Sequence, residues 1–142
     1  MPGSALRVGI LGQGRSGRNI HAEYLKADPR FDVVAVSDVL GDRRERAEAE
    51  YGCASHADYH DLLHRDDVDL VINALPSHLH VPVTAEALRA GHNGLCEKPL
   101  ARRAAEVDDL IALAGRVGKV LAIYQQSRFA PYFQQVCRVI DS

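Results

Sequence analysis

The sequence predicts a doubly wound α/β fold with three layers, in which helices cover both faces of a mainly parallel sheet of about six strands. Two observations carry this prediction. Short, β-branched apolar runs recur along the chain, and amphipathic stretches of helical periodicity separate them. Parallel neighbours need long crossover connections, so a regular alternation of strand and helix selects a parallel sheet.

Five apolar runs are interpreted as strands. Continuous apolarity, without polar residues at every second position, is typical of strands that are covered on both faces. The runs are Leu6–Leu11 and residues 33–37, 68–75, 95–96 and 120–124, and residues 53–55 are a further short candidate.

Six amphipathic stretches are interpreted as helices, and several of them end at glycine, as helices commonly do. They are residues 16–27, 42–51, 58–64, 79–90, 104–117 and 130–142. The last stretch carries Phe133, Val136, Val139 and Ile140 at helical spacing. Because this apolar face needs a partner, we expect it to be exposed and to favour self-association into a homo-oligomer.

Composition and charge describe one ordinary globular domain. The chain has 142 residues, 46% of them hydrophobic, and a net charge of -2 without long runs of either sign. Nothing in this balance indicates a nucleic-acid or membrane partner. Three widely spaced cysteines without a C-x-x-C pair indicate a reducing compartment. No signal peptide or spanning segment is recognised, so we expect a cytoplasmic protein.

A glycine-rich loop directly follows the first predicted strand. It reads Gly12-Gln13-Gly14-Arg15-Ser16-Gly17, the G-x-G-x-x-G pattern, and it opens the first predicted helix. The first glycine permits a tight turn, the second lets a diphosphate approach the backbone, and the third lets helix and strand pack closely. The loop therefore predicts a dinucleotide-binding site, in which amides at the helix start hold the diphosphate.

Asp38 ends the second predicted strand, near the offset at which a carboxylate binds the adenosine ribose. Its charge would repel a 2'-phosphate, so the sequence favours NAD and leaves NADP as the alternative. Arg43 and Arg44 weaken that preference, because either guanidinium could turn toward a 2'-phosphate. We expect both arginines to lie instead on the solvated face of a helix.

Two further segments follow predicted strands: Pro76-Ser77-His78-Leu79-His80 and Leu95-Cys96-Glu97-Lys98-Pro99-Leu100-Ala101. Both resemble the Gfo/Idh/MocA family, which includes glucose-fructose oxidoreductase and inositol dehydrogenase. Arg128-Phe129-x-Pro131, after the last predicted strand, also resembles that family. The resemblance covers essentially the whole chain and only the N-terminal half of the family. It implies a Rossmann fold with sheet order 3-2-1-4-5-6 and a hydride-transferring dehydrogenase that acts on a sugar, inositol or related polyol.

The resemblance also implies roles for single residues. Lys98, one of three lysines in the chain, is the expected catalytic residue, beside the nicotinamide and substrate. Glu97 is expected to orient Lys98 or to hold the ribose. A cis Lys98–Pro99 bond is expected to shape the turn. Leu75, Pro76 and His80 are expected on the nicotinamide side of the cofactor, and packing or capping of the following helix is an equal alternative for His80.

Gly94 departs from the family pattern, which has an apolar residue at this position. A glycine weakens a strand, so we expect the fifth strand either to begin late, at Leu95, or to be slightly weak.

Several histidines are interpreted as ordinary. His56, His60 and His64 recur every four residues without an acidic partner motif, so we expect a solvent-facing helical stripe and no metal site. His21 is interpreted as a packed or exposed residue of the first helix.

Relatives in this family continue into a second domain that supplies most of the substrate pocket, and the sequence shows no sign of one. We therefore expect residues 1–142 to be the NAD(P)-binding domain alone, as a fragment, a truncated product or a stand-alone domain. One hypothesis is a dehydrogenase domain that binds cofactor without full turnover. The alternative is a non-catalytic NAD(H)-binding module or sensor that acts through a partner chain.

Overall fold

Six strands form one sheet in the computed structural model, which describes residues 4–142. The strands run in the order β3-β2-β1-β4-β5-β6, and every pairing is parallel. They are β1 Leu6–Leu11, β2 Phe31–Ser37, β3 Ala54–His56, β4 Leu70–Asn73, β5 Asn93–Glu97 and β6 Leu121–Tyr124. The Rossmann order implied by the family resemblance is thus confirmed.

Helices lie between successive strands, and one more follows the last strand. They are α1 Glu23–Ala27, α2 Gly41–Tyr51, α3 Tyr59–Leu63, α4 His80–Arg89, α5 Ala104–Val117 and α6 Pro131–Ile140, with 3-10 turns at Ser77–Leu79 and Gln126–Phe129. Gly52 and Gly118 end α2 and α5 in the left-handed conformation that favours glycine. Within residues 4–142 no helix is both long and apolar enough to cross a membrane.

The first predicted helix has an unexpected form. Its N-terminal part, Arg15–Ala22, is a π-helix, and only Glu23–Ala27 is α-helical. At the junction the Glu23 amide donates to the carbonyl of Arg18, five residues earlier. The wider turn directs Gly17, His21 and Ala22 toward the sheet, a form that helical periodicity alone does not distinguish from an α-helix.

The core lies on both faces of the sheet. Neighbouring residues of β1 point in opposite directions: Ile10 packs with Ala22 and Leu25 on one face, and Leu11 packs with Leu62 on the other. A third cluster joins α4 and α5 to Cys96 of β5. Burial on both faces explains why the strands read as continuous apolar runs.

Two expectations about strands are wrong. The fifth strand begins at Asn93 rather than Leu95, because Gly94 is buried and pairs with both Val71 and Leu121. The fourth strand ends at Asn73 instead of reaching residue 75, because the chain turns there.

The apolar side of α6 is exposed, as expected. Phe133, Val136, Val139 and Ile140 are all exposed, and the helix buries no residue. A second apolar surface is a groove of about 630 Å³ between the first helix and strands β1, β4, β5 and β6. This groove is larger than a second cleft, described below, that lies at the carboxyl ends of the strands. The wall of the groove is almost entirely apolar.

Candidate cofactor site

The glycine loop has the geometry that its pattern predicts. Gly12 has a φ of +87°, and a Cβ built on it would lie 2.8 Å from the carbonyl oxygen of Ala74. A Cβ on Gly17 would overlap the carbonyl oxygen of Gly12. Gly14 directly precedes the helix, and a Cβ there would approach only the Arg43 Nη1 atom, at 3.6 Å. Gly12 and Gly17 therefore serve the turn and the packing, while Gly14 leaves an open approach to the backbone.

Gln13 contributes two features to this loop. Its amide donates to Asp38 Oδ2 at 2.8 Å, so this amide is not free for a diphosphate. Its side chain is 1% exposed, and Oε1 has no hydrogen-bond partner among the described residues. A buried acceptor without a partner is unusual in a folded protein and points to a ligand or water at the loop. The free amides at the helix start are then those of Arg15, Ser16 and Gly17.

Asp38 is held in place from three sides. It is 7% exposed, and besides the Gln13 amide it receives the Leu40 amide on Oδ1 at 2.9 Å and Arg43 Nη1 on Oδ2 at 3.3 Å. A carboxylate has about four acceptor positions. One position on Oδ1 therefore remains for a ribose hydroxyl. We call this loop and Asp38 the glycine-loop end of the site.

Arg43 and Arg44 are half-buried at the start of α2, and both guanidiniums turn back toward the end of β2. Arg43 pairs with Asp38, and the Arg44 guanidinium donates to the carbonyl oxygens of Asp38 and Val39 at 2.8 and 3.2 Å. The tight turn after β2 brings the start of α2 beside the strand end, where the Asp38 carboxylate attracts Arg43 and the carbonyls of Asp38 and Val39 attract Arg44.

A cleft of about 330 Å³ lies on the other side of the loop, at the carboxyl ends of β4 and β5. Its wall brings together residues of the glycine loop, the Pro76 turn and the Glu-Lys-Pro turn. They are Arg15, Ser16, Ile20, Ala74, Leu75, Pro76, Ser77, His80, Glu97, Lys98 and Gln126. We call this cleft the lysine end of the site. Its position fits the crevice in which open α/β sheets bind ligands, between β1 and the strand where the order reverses.

The Glu-Lys-Pro turn carries one exposed cation and one buried anion. The Lys98–Pro99 bond is cis, as predicted. Lys98 is exposed, whereas Glu97 is 6% exposed and accepts the Lys98 amide on Oε2 at 3.2 Å. The other oxygen, Oε1, lies 2.9 Å from Nε2 of His21. The turn is thus tied to the first helix through a buried side-chain pair.

His80 joins the two turns that line the cleft. Its ring is buried, with Nδ1 2.7 Å from the carbonyl oxygen of Pro99 and Nε2 2.9 Å from that of Leu75. Both ring nitrogens therefore face backbone carbonyls, and only the ring itself is left to contact a ligand in the cleft. These bonds link two turns and do not cap the following helix, and a position of His80 on the nicotinamide side stays a prediction.

Two contributing residues were not identified from the sequence. His21 is buried against Glu97 and Tyr124, at a position that shares a helical face with Gly17. Asn73 ends β4 and holds the next turn: its Nδ2 donates to the carbonyl of His80 at 3.2 Å, and its Oδ1 accepts the Leu75 amide at 3.2 Å. In each case a polar residue on an otherwise apolar face was the available signal.

The histidine stripe is absent as a single helical face. His56 lies in β3, His60 in α3, and His64 directly after α3. His60 pairs with Asp58 and Glu86 at the surface. Within residues 4–142 no cluster of three or more histidine, cysteine or acidic residues has metal-binding geometry.

Comparison with known proteins identifies the family. Residues 6–125 match the family described as GFO_IDH_MocA, an oxidoreductase family with an NAD-binding Rossmann fold. A dTDP-3,4-didehydro-2,6-dideoxy-alpha-D-glucose 3-reductase of Streptomyces violaceoruber is 40% identical over 118 residues, which are 83% of this chain and 34% of that protein. An inositol 2-dehydrogenase/D-chiro-inositol 3-dehydrogenase of Lactiplantibacillus plantarum is 30% identical over 138 residues, 95% of this chain and 39% of that protein.

Solved structures agree in fold and in sequence. A 3-ketoreductase from Actinomadura kijaniata, crystallised with NADP and TDP-benzene, is 33% identical with a TM-score of 0.88 over 96% of this chain and 42% of its own. The WlbA dehydrogenase from Chromobacterium violaceum, crystallised with NADH and UDP-GlcNAcA, is 27% identical with a TM-score of 0.88 over 99% of this chain and 41% of its own. The chain therefore spans about two fifths of the length of these relatives. It belongs to the Gfo/Idh/MocA oxidoreductase family and forms that family's NAD-binding Rossmann domain.

Proposed function

We propose that the chain binds NAD(H) across the carboxyl edge of its sheet, as the cofactor domain of an enzyme that transfers hydride to or from a sugar, inositol or related polyol. The adenosine ribose binds at Asp38, the diphosphate at the helix start, and the nicotinamide in the lysine end. Related proteins that act on nucleotide-linked sugars and inositols support this substrate class.

One observation carries the cofactor proposal. Asp38 is buried, fixed by the Gln13 amide at 2.8 Å, and lies beside a helix start whose second glycine is open. A carboxylate on one side of the loop and a cleft on the other match the two halves of a dinucleotide that crosses the sheet at β1. The unpartnered Oε1 of Gln13 fits the same occupant.

We propose that NAD is preferred over NADP. The Asp38 carboxylate has one acceptor position for a hydroxyl, and its charge opposes a phosphate. Arg43 is already paired with this carboxylate, and Arg44 with backbone carbonyls, so neither cation is free for a 2'-phosphate without losing those bonds. One related structure holds NADP and another holds NADH, so the preference is argued from the residues of this chain alone.

Lys98 is the proposed catalytic residue. A bound nicotinamide would supply or accept the hydride. The exposed Lys98 ammonium lies at the carboxyl end of β5, in the same cleft wall as Ser77 and Glu97. From there it donates a hydrogen bond to the substrate hydroxyl, stabilises developing alkoxide charge and passes on the proton. Turnover at an ordinary rate requires substrate-binding residues from outside residues 1–142.

The cofactor proposal is tested by titrating the chain with NAD⁺, NADH, NADP⁺ and NADPH in a calorimeter, with thermal shift as a second measurement. We expect NADH to bind roughly tenfold more tightly than NADPH. Asp38→Asn should reduce that preference, whereas Asp42→Asn, an exposed carboxylate at the start of α2, should not.

Absence of heat and of thermal shift with all four dinucleotides would contradict the cofactor proposal. Tighter binding of NADPH would contradict the NAD preference alone. Adding polyols with NAD⁺ tests the fragment proposal, since turnover at an ordinary enzymatic rate by the chain alone would show that it needs no further residues.

A further inference from the structure

Glu97 places a buried carboxylate in the wall of the lysine end. It is 6% exposed, and each of its oxygens faces a nitrogen: Oε2 accepts the Lys98 amide, and Oε1 lies 2.9 Å from His21 Nε2. Both oxygens of the carboxylate therefore have a hydrogen-bond partner. No arginine or lysine side chain is within salt-bridge distance of it among the described residues. Its charge is therefore held in place without a paired cation.

His21 binds this carboxylate without neutralising it. Its ring is 5% exposed and packs edge-on against Tyr124, with ring centroids 4.6 Å apart. Burial lowers the pKa of His21 more than the Glu97 carboxylate raises it. At neutral pH the ring is then uncharged and donates its Nε2 hydrogen to Glu97, so the pair as a whole keeps one negative charge.

The π-helix provides the geometry of this pair. Gly17 must lie against the Gly12 carbonyl, and His21 must reach Glu97 from the same face four residues later. Both residues lie on the buried face of this helix, so one element makes both contacts. The glycine loop and the Glu97 carboxylate are therefore fixed relative to each other by one short helix.

We propose that the Glu97 carboxylate, oriented by His21, makes the site bind the oxidised cofactor in preference to the reduced one. This inference rests on the proposed function, which puts the nicotinamide in the lysine end. The oxidised ring carries a positive charge and the reduced ring carries none. A fixed anion that is itself buried stabilises only the charged ring, and the exposed ammonium of Lys98 opposes it less because water screens it.

The experiment measures dissociation constants of NAD⁺ and NADH for the intact chain by calorimetry. In Glu97→Gln the ratio of the NAD⁺ constant to the NADH constant should rise roughly tenfold, because the attraction for the charged ring is lost. Glu45→Gln makes the same charge change at an exposed position on α2 and should leave the ratio within twofold.

A second pair of variants tests the charge without altering Glu97, and it applies even where Glu97→Gln does not fold. His21→Lys places an ammonium against the carboxylate and should raise the ratio in the same direction as Glu97→Gln. His21→Gln keeps a hydrogen-bond donor without adding charge, so it should change both constants by the same factor.

The outcomes separate the two proposals. A wild-type chain that binds neither NAD⁺ nor NADH contradicts the proposed function and this inference with it. Binding of both, with a ratio that stays within twofold in Glu97→Gln and His21→Lys, overturns this inference alone. A ratio that shifts as far in His21→Gln as in His21→Lys also overturns it, because charge would then not be the cause.

Discussion

The two ends of the site are held together by different interactions. At the glycine-loop end, the missing side chains of Gly12 and Gly17 allow close backbone contact, and a single amide from Gln13 fixes Asp38. At the lysine end, hydrogen bonds from buried imidazoles hold the elements together. His80 joins two turns, and His21 joins a helix to a strand end. The glycine-loop end therefore depends on the absence of side chains at two glycines, and the lysine end depends on hydrogen bonds between buried polar groups.

This difference predicts how each end responds to substitution. A close backbone contact at glycine is lost when any side chain is added, since displacing the opposing backbone costs free energy. The hydrogen bonds of a buried histidine are lost when the side chain is shortened or its donors are removed. The free-energy cost is that of leaving buried carbonyls unpaired. The three predictions below test this difference, from the largest expected effect to the smallest.

The largest effect is expected for Gly17→Ala. The new Cβ overlaps the carbonyl oxygen of Gly12, so the helix must move away from β1. We expect the free energy of unfolding to fall by about 3 kcal/mol and dinucleotide binding to be lost. Chemical denaturation and calorimetry measure the two effects.

The matched control for this prediction is Gly115→Ala. Gly115 is exposed in α5, and a Cβ there meets no atom within 4 Å. We expect this variant to gain up to about 1 kcal/mol from helix propensity and to keep its binding. A similar loss of stability in both variants would show that the contact of Gly17 with Gly12 is not the cause.

An intermediate effect is expected for His80→Asn. The shorter side chain cannot reach the carbonyls of both Leu75 and Pro99, so we expect a loss of about 2 kcal/mol in the free energy of unfolding. The cleft between the two turns should loosen, and the affinity for NADH should fall with it. Urea denaturation and NADH fluorescence measure these changes.

His92 offers a matched control because it bridges carbonyls in the same way, away from the cleft. Its ring nitrogens lie 2.9 Å from the carbonyl oxygen of Val68 and 2.8 Å from that of Leu63. His92→Asn should cost similar stability and leave the NADH affinity unchanged. Equal losses of affinity in the two variants would contradict a specific role of His80 at the site.

The smallest effect concerns pH. Burial lowers the pKa of His21 in the folded chain. At a pH between the folded and the unfolded pKa of this histidine, only the unfolded chain therefore binds the proton. The stability contributed by neutral His21 is present above the ordinary histidine range and is lost as the pH falls through it. Unfolding free energies measured from neutral pH to about pH 5.5 should fall less in His21→Gln than in the wild type.

His60 provides a control of opposite sign. Its hydrogen bond to Asp58 raises the pKa of this exposed histidine, so its contribution grows on acidification and is lost as the pH rises. His60→Gln should therefore make the fall in stability on acidification slightly steeper. A His21→Gln variant with the pH profile of the wild type would show that this buried pair does not couple folding to protons.

The glycine-loop end could be predicted from the sequence because its parts are close in the chain or regularly spaced. The loop from Gly12 to Gly17 is one local pattern, and Asp38 follows the next apolar run. The strand order, the two-sided core and the cis bond before Pro99 were predicted correctly for similar reasons, through periodicity and family resemblance.

The lysine end could be predicted only in part. Lys98 and Glu97 stand out as a motif, but the contact of Glu97 with His21 joins residues 76 positions apart. The π-helix and the bonds of Asn73 likewise depend on which element lies next to them. The same holds at the glycine-loop end for the contacts of Arg43 and Arg44 with Asp38. The start of β5 was mispredicted because Gly94 is held by its neighbours in the sheet, whose pairing outweighs the weak propensity of glycine.

The π-helix has a consequence for changes in chain length. An α-helical turn holds fewer residues than a π turn, so removing one residue between Gly17 and His21 would convert the segment to the commoner form without shortening its reach by much. Residues three apart on an α-helix still share a face, so the shortened helix would keep Gly17 against Gly12 and the histidine beside Glu97. Loss of one residue between Gly17 and His21 is therefore the change in chain length that this helix accommodates best.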